Sequence, residues 1–209
     1  MGWFMVKSGL VNRPSVSHYR LALHLSTALI LVAYILWTAL PILAPIQKAA
    51  KAFPRLQKQL IVLLSLLSLQ IVYGAFTAGL KAGHMYPTFP KMGADWIPQS
   101  GVDAFQSLGF IGLFEDPVLV QFIHRWLAVL VLIVFIIFFL SARKEKISHQ
   151  QKKCNQILIW SIVFQFALGI FTLLNSVPVS LGVLHQLGAV IVLTTLIITL
   201  YFYKTPKEI

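Results

Sequence analysis

The sequence predicts an all-α integral membrane protein, in which a bundle of apolar helices crosses a lipid bilayer. Hydrophobic residues make up 58% of the 209 residues and charged residues only 11%. The mean hydropathy of +0.81 lies above the range of soluble domains. The apolar residues also form continuous runs of about twenty, the length that a helix needs to cross the hydrocarbon core. These runs lack the alternation that is typical of half-buried strands.

Five full transmembrane helices can be placed from these runs. Their expected bounds are Leu21–Leu40, Leu60–Leu80, Leu119–Leu140, Ile157–Leu174 and Val183–Tyr203. The segment Met1–Leu10 is also apolar but is too short to cross a bilayer. We interpret it as the end of a further helix, which gives five full spans and one partial N-terminal span.

The charges between the spans predict the orientation. Eleven of the seventeen basic residues fall on one side, and the positive-inside rule makes that side cytoplasmic. They are Lys48, Lys51, Arg55, Lys58, Arg143, Lys144, Lys146, Lys152, Lys153, Lys204 and Lys207. The long segment Lys81–Pro117 lies on the opposite side, and the C-terminus is expected in the cytoplasm. The net charge of +11 therefore reflects topology, and no nucleic-acid-binding motif accompanies it.

Three histidines share one position in the predicted helices. His24, His124 and His185 each lie about one turn into a span from its outer end, with alanine four residues later. The three spans run in the same direction, so the imidazoles are expected at one depth. An ionisable group inside a membrane indicates function, and the small alanine leaves room for axial ligation of haem iron. The alternative is a histidine that bonds to a neighbouring helix at the membrane interface.

An internal repeat precedes two of these histidines. Residues 70–77 and 165–172 share the pattern Gln-x-x-x-Gly-x-Phe-Thr. Each copy ends one span, and the next span begins with a histidine, so the repeating unit is a helical hairpin. Glycine permits close helix approach, and glutamine is expected to hydrogen-bond between helices.

The remaining polar residues are less specific. Arg125 follows His124 and either pairs with a haem propionate or extends to lipid headgroups. His18 and His149 are expected to be solvated loop residues. The single cysteine, Cys154, excludes an intrachain disulfide and a Cys-x-x-Cys motif.

Several motifs spread over the chain resemble the haem A synthase family, in particular its proteobacterial and mitochondrial branch. They are Gly2-Trp-Phe-Met-Val-Lys-Ser-Gly-Leu10, Tyr19-Arg-Leu-Ala-Leu-His24, Gly74-Ala-Phe-Thr-Ala-Gly-Leu80, Pro87-Thr-Phe-Pro-Lys-Met-Gly93, Trp96-Ile-Pro98, Gln121-Phe-Ile-His-Arg125 and Leu184-His-Gln186. The resemblance implies a pseudo-symmetric eight-helix fold that oxidises the methyl group of haem O to the formyl group of haem A for cytochrome oxidase. It further implies that His124 and His185 ligate a haem b cofactor and that His24 ligates the iron of the substrate haem.

The resemblance also implies a division of the chain. Residues 1–55 correspond to the end of the N-terminal, substrate-haem half, and residues 56–209 to the C-terminal, haem b half. The chain begins at the tail of the family's third helix, and the glutamate of the family's first outer loop is not among its residues. No catalytic residue is therefore assigned, and we expect the chain to bind haem b but to lack activity alone.

The implied partners are haem O, molecular oxygen or water, an electron carrier, haem O synthase and cytochrome oxidase assembly factors. Whether the chain forms a homo-oligomer is left open. The expected location is the bacterial inner membrane, or the mitochondrial inner membrane in a eukaryote. Two alternatives belong to other classes. A b-type cytochrome subunit for electron transfer would carry histidine pairs near both membrane faces. A transporter or structural assembly protein would favour broken helices near the midplane, and the predicted spans contain no interior proline.

Overall fold

The computed structural model describes residues 16–44 and 52–204. Within these ranges it contains five helices that are long and apolar enough to cross a membrane. They are α1 (His18–Leu43), α2 (Pro54–Gly79), α5 (Pro117–Arg143), α6 (His149–Leu174) and α7 (Val179–Phe202). Two shorter helices, α3 (Gln99–Leu108) and α4 (Gly112–Glu115), lie between α2 and α5. The prediction of an all-α, multi-pass membrane protein with five full spans is confirmed.

Some predicted features fall outside the described residues. These are the partial helix Met1–Leu10, its Gly2-Trp-Phe motif, and the basic residues Lys48, Lys51 and Lys207.

The helices begin earlier in the chain than the apolar runs predicted, and in α5 and α6 polar caps precede the apolar residues. Asp116 caps α5, and its carboxylate accepts hydrogen bonds of 2.9 Å from the backbone N–H groups of Val118 and Leu119. Ser148 and Gln151 form a reciprocal capping box at the start of α6. Such caps satisfy backbone donors that have no partner inside the helix.

The helices pack as two hairpins with α1 at their side. The first hairpin pairs α2 with α5, and the second pairs α6 with α7. Helix α2 also contacts α7, and α1 packs against both α2 and α7. Many large apolar side chains point away from the bundle, as expected where lipid replaces water; Trp160, for example, is 71% exposed. The bundle therefore holds the two repeat units side by side.

The buried apolar core lies towards the end of the bundle that carries the basic loops. It draws on all five long helices, with Leu60, Phe135, Leu158 and Leu196 nearly inaccessible. A smaller cluster around Tyr73, Phe76 and Val120 packs the other end of α2 and α5. The main core therefore does not include the histidine-bearing end of the bundle, where this smaller cluster lies beside polar side chains.

The segment between α2 and α5 is folded rather than extended. A 3-10 turn at Ala82–His84 follows α2, and α3, a second turn at Gly109–Ile111 and α4 lead into α5. Ala82 and Gly83 are buried. The part from residue 81 to residue 93, which we call the outer loop, lies close to the histidine-bearing helix ends.

Candidate functional site

His124 on α5 lies against the repeat motif of α2. One ring nitrogen, Nε2, is 3.4 Å from the side-chain nitrogen of Gln70. A Cβ atom added to Gly74 would lie 3.2 Å from Cε1 of the imidazole, so only glycine leaves the ring its present space. The other ring nitrogen, Nδ1, is buried without a hydrogen-bond partner.

His185 on α7 occupies the matching position against α6. Its Nδ1 is 3.2 Å from the side-chain nitrogen of Gln165, which also donates to the backbone oxygen of His185 at 2.9 Å. A Cβ atom at Gly169 would approach Cε1 of the imidazole to 2.9 Å. A Cβ atom at Gly188 would lie 2.0 Å from Oε1 of Gln165. Two glycines therefore make room for the ring and for the amide beside it.

The two hairpins repeat one arrangement, in which the glutamine and glycine of the first helix hold the histidine of the second. The main core ends at the same distance from the site in both hairpins. Its last buried residues before the glutamines are Leu67 and Ile162, and its first after the histidines are Val131 and Val192. The predicted hairpin repeat and its interhelical glutamine contacts are confirmed.

His124 and His185 lie on neighbouring hairpins, which α2 and α7 bring into contact. Over residues 16–44 and 52–204, no group of three or more histidine, cysteine or acidic side chains is placed to hold a metal ion. A pair of imidazoles is the ligand set that haem iron takes from a protein, since the porphyrin supplies the other donors. Unpaired polar atoms beside the rings, Oε1 of Gln70 and Oε1 of Gln165, are buried as well. The donor set and the orphaned atoms fit a haem.

Arg125 and Gln121 hold the outer loop over this end of the bundle. Arg125 donates through Nη1 to the backbone oxygens of Thr88 and Lys91, at 2.7 and 3.3 Å, and through Nη2 to that of Tyr86. Gln121, one turn earlier on α5, donates to the backbone oxygens of Gly83 and Tyr86 at 3.4 and 3.2 Å. We call these two residues the loop clamp.

The outer loop reaches across to the second hairpin. The ring of Phe89 lies 6.2 Å from that of Phe166, the neighbour of Gln165. Gly83 packs so tightly against Val177, in the turn between α6 and α7, that an added Cβ would lie 2.7 Å from a methyl carbon. The loop therefore covers the histidine-bearing ends of both hairpins.

The third predicted haem ligand, His24, lies outside both hairpins. His24 is half-buried on α1 and makes no hydrogen bond with the described residues. It stands six residues after the start of its helix, as His185 does, and His124 stands seven after the start of α5. This agrees with a common depth. His149 is exposed, as predicted, but it is the first residue of α6 and not a loop residue.

The expectation for His18 was wrong. It is the first residue of α1, with Nε2 buried and the ring 5.5 Å from that of Phe76. Helix α1 begins three residues before the predicted span and carries His18 against α2, where it meets Gly79.

No role was predicted for Gln121 or Gly188. A signal for Gln121 was present, because Gln121 and Arg125 are four residues apart and therefore share a helix face.

Comparison with known proteins gives consistent matches over nearly the whole chain. The family model COX15-CtaA, described as cytochrome oxidase assembly protein, matches residues 1–197. Heme A synthase of Flavobacterium johnsoniae is 39% identical over 201 residues, which are 96% of this chain and 59% of the relative. Heme A synthase of Flavobacterium psychrophilum is 41% identical over 206 residues, 98% of this chain and 60% of the relative.

A human relative, heme A synthase COX15, is 38% identical over 203 residues, which cover 93% of this chain and 49% of the human protein. The chain thus spans about half to three fifths of the length of these curated relatives. No solved structure matches the chain significantly.

Proposed function

The chain belongs to the COX15-CtaA family of cytochrome oxidase assembly proteins, and we propose that it forms the haem b-binding part of a haem A synthase. In this proposal His124 and His185 are the axial ligands of the haem b iron. The single observation that carries it is the repeated cradle, in which a glutamine and a glycine of one helix hold the histidine of the next. A merely structural histidine would not need the same cradle twice.

Gln70 and Gln165 are positioning residues in this proposal. An amide beside an imidazole fixes the orientation of the ring and which nitrogen carries the proton. In both hairpins one ring nitrogen faces the amide group. In the haem-bound protein that nitrogen would donate its proton to the glutamine oxygen Oε1, and the other nitrogen of each ring would ligate the iron. When bound between two imidazoles, haem b supplies one-electron transfer.

The structure alters the proposal for Arg125. The two terminal nitrogens of its guanidinium are occupied by the carbonyls of the outer loop, whereas Nε is buried without a partner. We therefore assign Arg125 two tasks: its terminal nitrogens hold the loop, and Nε–H donates to a haem propionate. A charged donor of this kind forms a short, strong bond to a carboxylate.

The reaction proposed for the whole enzyme is oxidation of the methyl group of haem O to the formyl group of haem A, with oxygen or water and an electron carrier as co-reactants. His24 would ligate the substrate haem. Because His24 is the only one of the six histidines that the resemblance assigns to a second haem, we expect the chain alone to bind haem b without forming haem A.

We further propose that the basic end of the bundle faces the cytoplasm of a bacterium, or the matrix in a mitochondrion. The start of α2, the end of α5 and the start of α6 all carry exposed basic residues, as the positive-inside rule requires. The histidine-bearing end and the outer loop would then face the opposite compartment.

The test is a reduced-minus-oxidised visible spectrum of the detergent-purified chain, with haem identified as its pyridine haemochrome. We expect a low-spin b-type spectrum at about one haem per chain. His124→Ala and His185→Ala should each abolish it, and the exposed His149→Ala should leave it unchanged. Retention of haem by both of the first two variants would overturn the ligand assignment.

Conversion of added haem O to haem A, followed by extraction and chromatography, tests the second part of the proposal. Haem A formed by the 209-residue chain would show that the expected lack of activity is wrong. The b-type cytochrome alternative requires ligand histidines near both faces. At the basic end, the described residues supply only the exposed His149.

A further inference from the structure

A groove at the basic end of the bundle has the features of a lipid site. It lies between the first turns of α2 and the later turns of α5, with a volume of about 450 Å³. Arg55, Lys58, Gln59 and Val62 line it from α2 and follow one helix face, while Val134 and Ile137 line it from α5. The groove is thus basic at the membrane surface and apolar further along both helices.

The positive charge of the groove is not neutralised by the protein. Arg55 and Lys58 are exposed, and neither pairs with a carboxylate among the residues that the structure describes. A second hollow of about 270 Å³ adjoins the groove, sharing Arg55 and adding Lys144 and Glu145. Three cations therefore face one acid, which favours an anionic ligand.

Gln59 supplies an independent indication of a polar ligand. Its side-chain nitrogen lies 3.4 Å from the hydroxyl oxygen of Ser141, whereas Oε1 is buried and accepts no hydrogen bond. A buried acceptor without a donor is unfavourable. A ligand with a hydroxyl or ammonium group near its charge would satisfy this oxygen.

We propose that the groove binds one anionic phospholipid, with its phosphodiester between Arg55 and Lys58. A headgroup hydroxyl donates to Oε1 of Gln59, and an acyl chain lies along Val62, Val134 and Ile137. Basic pockets between transmembrane helices hold lipid headgroups in this way. Val62 and Ile137 are 51% and 50% exposed, so the apolar part of the groove is open to an acyl chain.

Native mass spectrometry of the full chain in detergent tests this inference. The probes are phosphatidylglycerol, which is anionic and carries headgroup hydroxyls, and phosphatidylcholine with the same acyl chains. We expect a one-to-one adduct with phosphatidylglycerol and a much weaker one with phosphatidylcholine. The double variant Arg55→Gln/Lys58→Gln should weaken phosphatidylglycerol binding about thirtyfold, the effect of two basic groups.

The matched control removes two charges from the same membrane face. Lys152→Gln/Lys153→Gln changes two exposed residues at the start of α6, outside the groove, and should leave binding unchanged. Equal losses in the two double variants would show a general charge effect and overturn the site. If the groove variant fails to fold, Ile137→Trp tests the site instead, because it fills the apolar part of the groove while keeping both charges. Unchanged phosphatidylglycerol binding by Ile137→Trp would also overturn the proposal.

Discussion

Gly169→Ala should weaken haem b binding without weakening the fold. The new Cβ would lie 2.9 Å from Cε1 and 3.5 Å from Nδ1 of His185. Non-bonded carbon atoms prefer about 3.5–4.0 Å, so the imidazole must move by roughly half an ångström or more. Metal sites tolerate deviations of about 0.2 Å in their ligand distances, and the ring also loses its alignment with Gln165.

The expected loss of haem b affinity is about ten- to a hundredfold, the usual effect of disturbing the support of a metal ligand. This corresponds to about 1.4–2.7 kcal/mol. Within a helix, replacing glycine by alanine otherwise stabilises by about 0.5–1 kcal/mol. The thermal stability of the haem-free chain should therefore stay the same or rise while haem binding falls.

The assay is a titration of the detergent-purified, haem-free chain with haem b, followed by absorbance and by the reduced-minus-oxidised spectrum. Gly182→Ala is the matched control, because it lies on α7 with no atom within 4 Å of the added Cβ. Gly74→Ala, at 3.2 Å from the ring of His124, should give a smaller loss. If Gly169→Ala bound haem b as tightly as Gly182→Ala, the cradle would not position His185.

Three further changes test the clamp and the packing. Arg125→Lys should release the outer loop, because one ammonium group cannot reach three separate carbonyls as the guanidinium does, and trypsin should then cut residues 81–93 about tenfold faster. Phe135→Ala should destabilise the chain by about 3–5 kcal/mol in thermal unfolding, since Phe135 is 1% exposed. Tyr203→Phe should cost about 1–3 kcal/mol, because the buried amide of Asn155 donates to the Tyr203 hydroxyl at 2.9 Å.

Each of these changes has a control in the same chain. Arg143→Lys makes the same substitution at an exposed arginine outside the clamp and should not alter proteolysis of the outer loop. Ile136→Ala removes a side chain that is 46% exposed and should cost much less than Phe135→Ala. Tyr34→Phe changes a tyrosine that is 66% exposed. Equal effects of a variant and its control would contradict the corresponding contact.

Hydropathy alone located the five spans, because a bilayer selects for length and apolar composition, which are both local properties. It placed the start of α1 too late, since His18 enters the helix by packing on Phe76 and Gly79. That contact joins residues about sixty positions apart, and no local pattern reveals it. The same limit applies to the caps, which are polar and therefore lie outside an apolar run.

The repeat was the most informative local signal for the site. The pattern Gln-x-x-x-Gly-x-Phe-Thr, followed by a histidine in the next span, predicted two equivalent hairpins. The structure brings Gln70 to His124 and Gln165 to His185 as that equivalence requires. The short connection between α6 and α7 makes their contact predictable, because it leaves few alternatives for the partner helix. The repeat extends the same pairing to α2 and α5, which a long segment joins.

The sequence by itself thus determined the membrane-spanning class, the number of described spans and the pairing of each histidine with its own hairpin. Only the tertiary structure decided that Arg125 holds the outer loop, that this loop joins both hairpins, and that Arg55 and Lys58 flank an open groove with Gln59. The physical reason is that these arrangements depend on where backbone carbonyls and distant helices come together. Hydropathy indicates whether a residue faces lipid or water, and spacing indicates which nearby residues share its helix face. A clamp or a groove, in contrast, is a property of the packed chain.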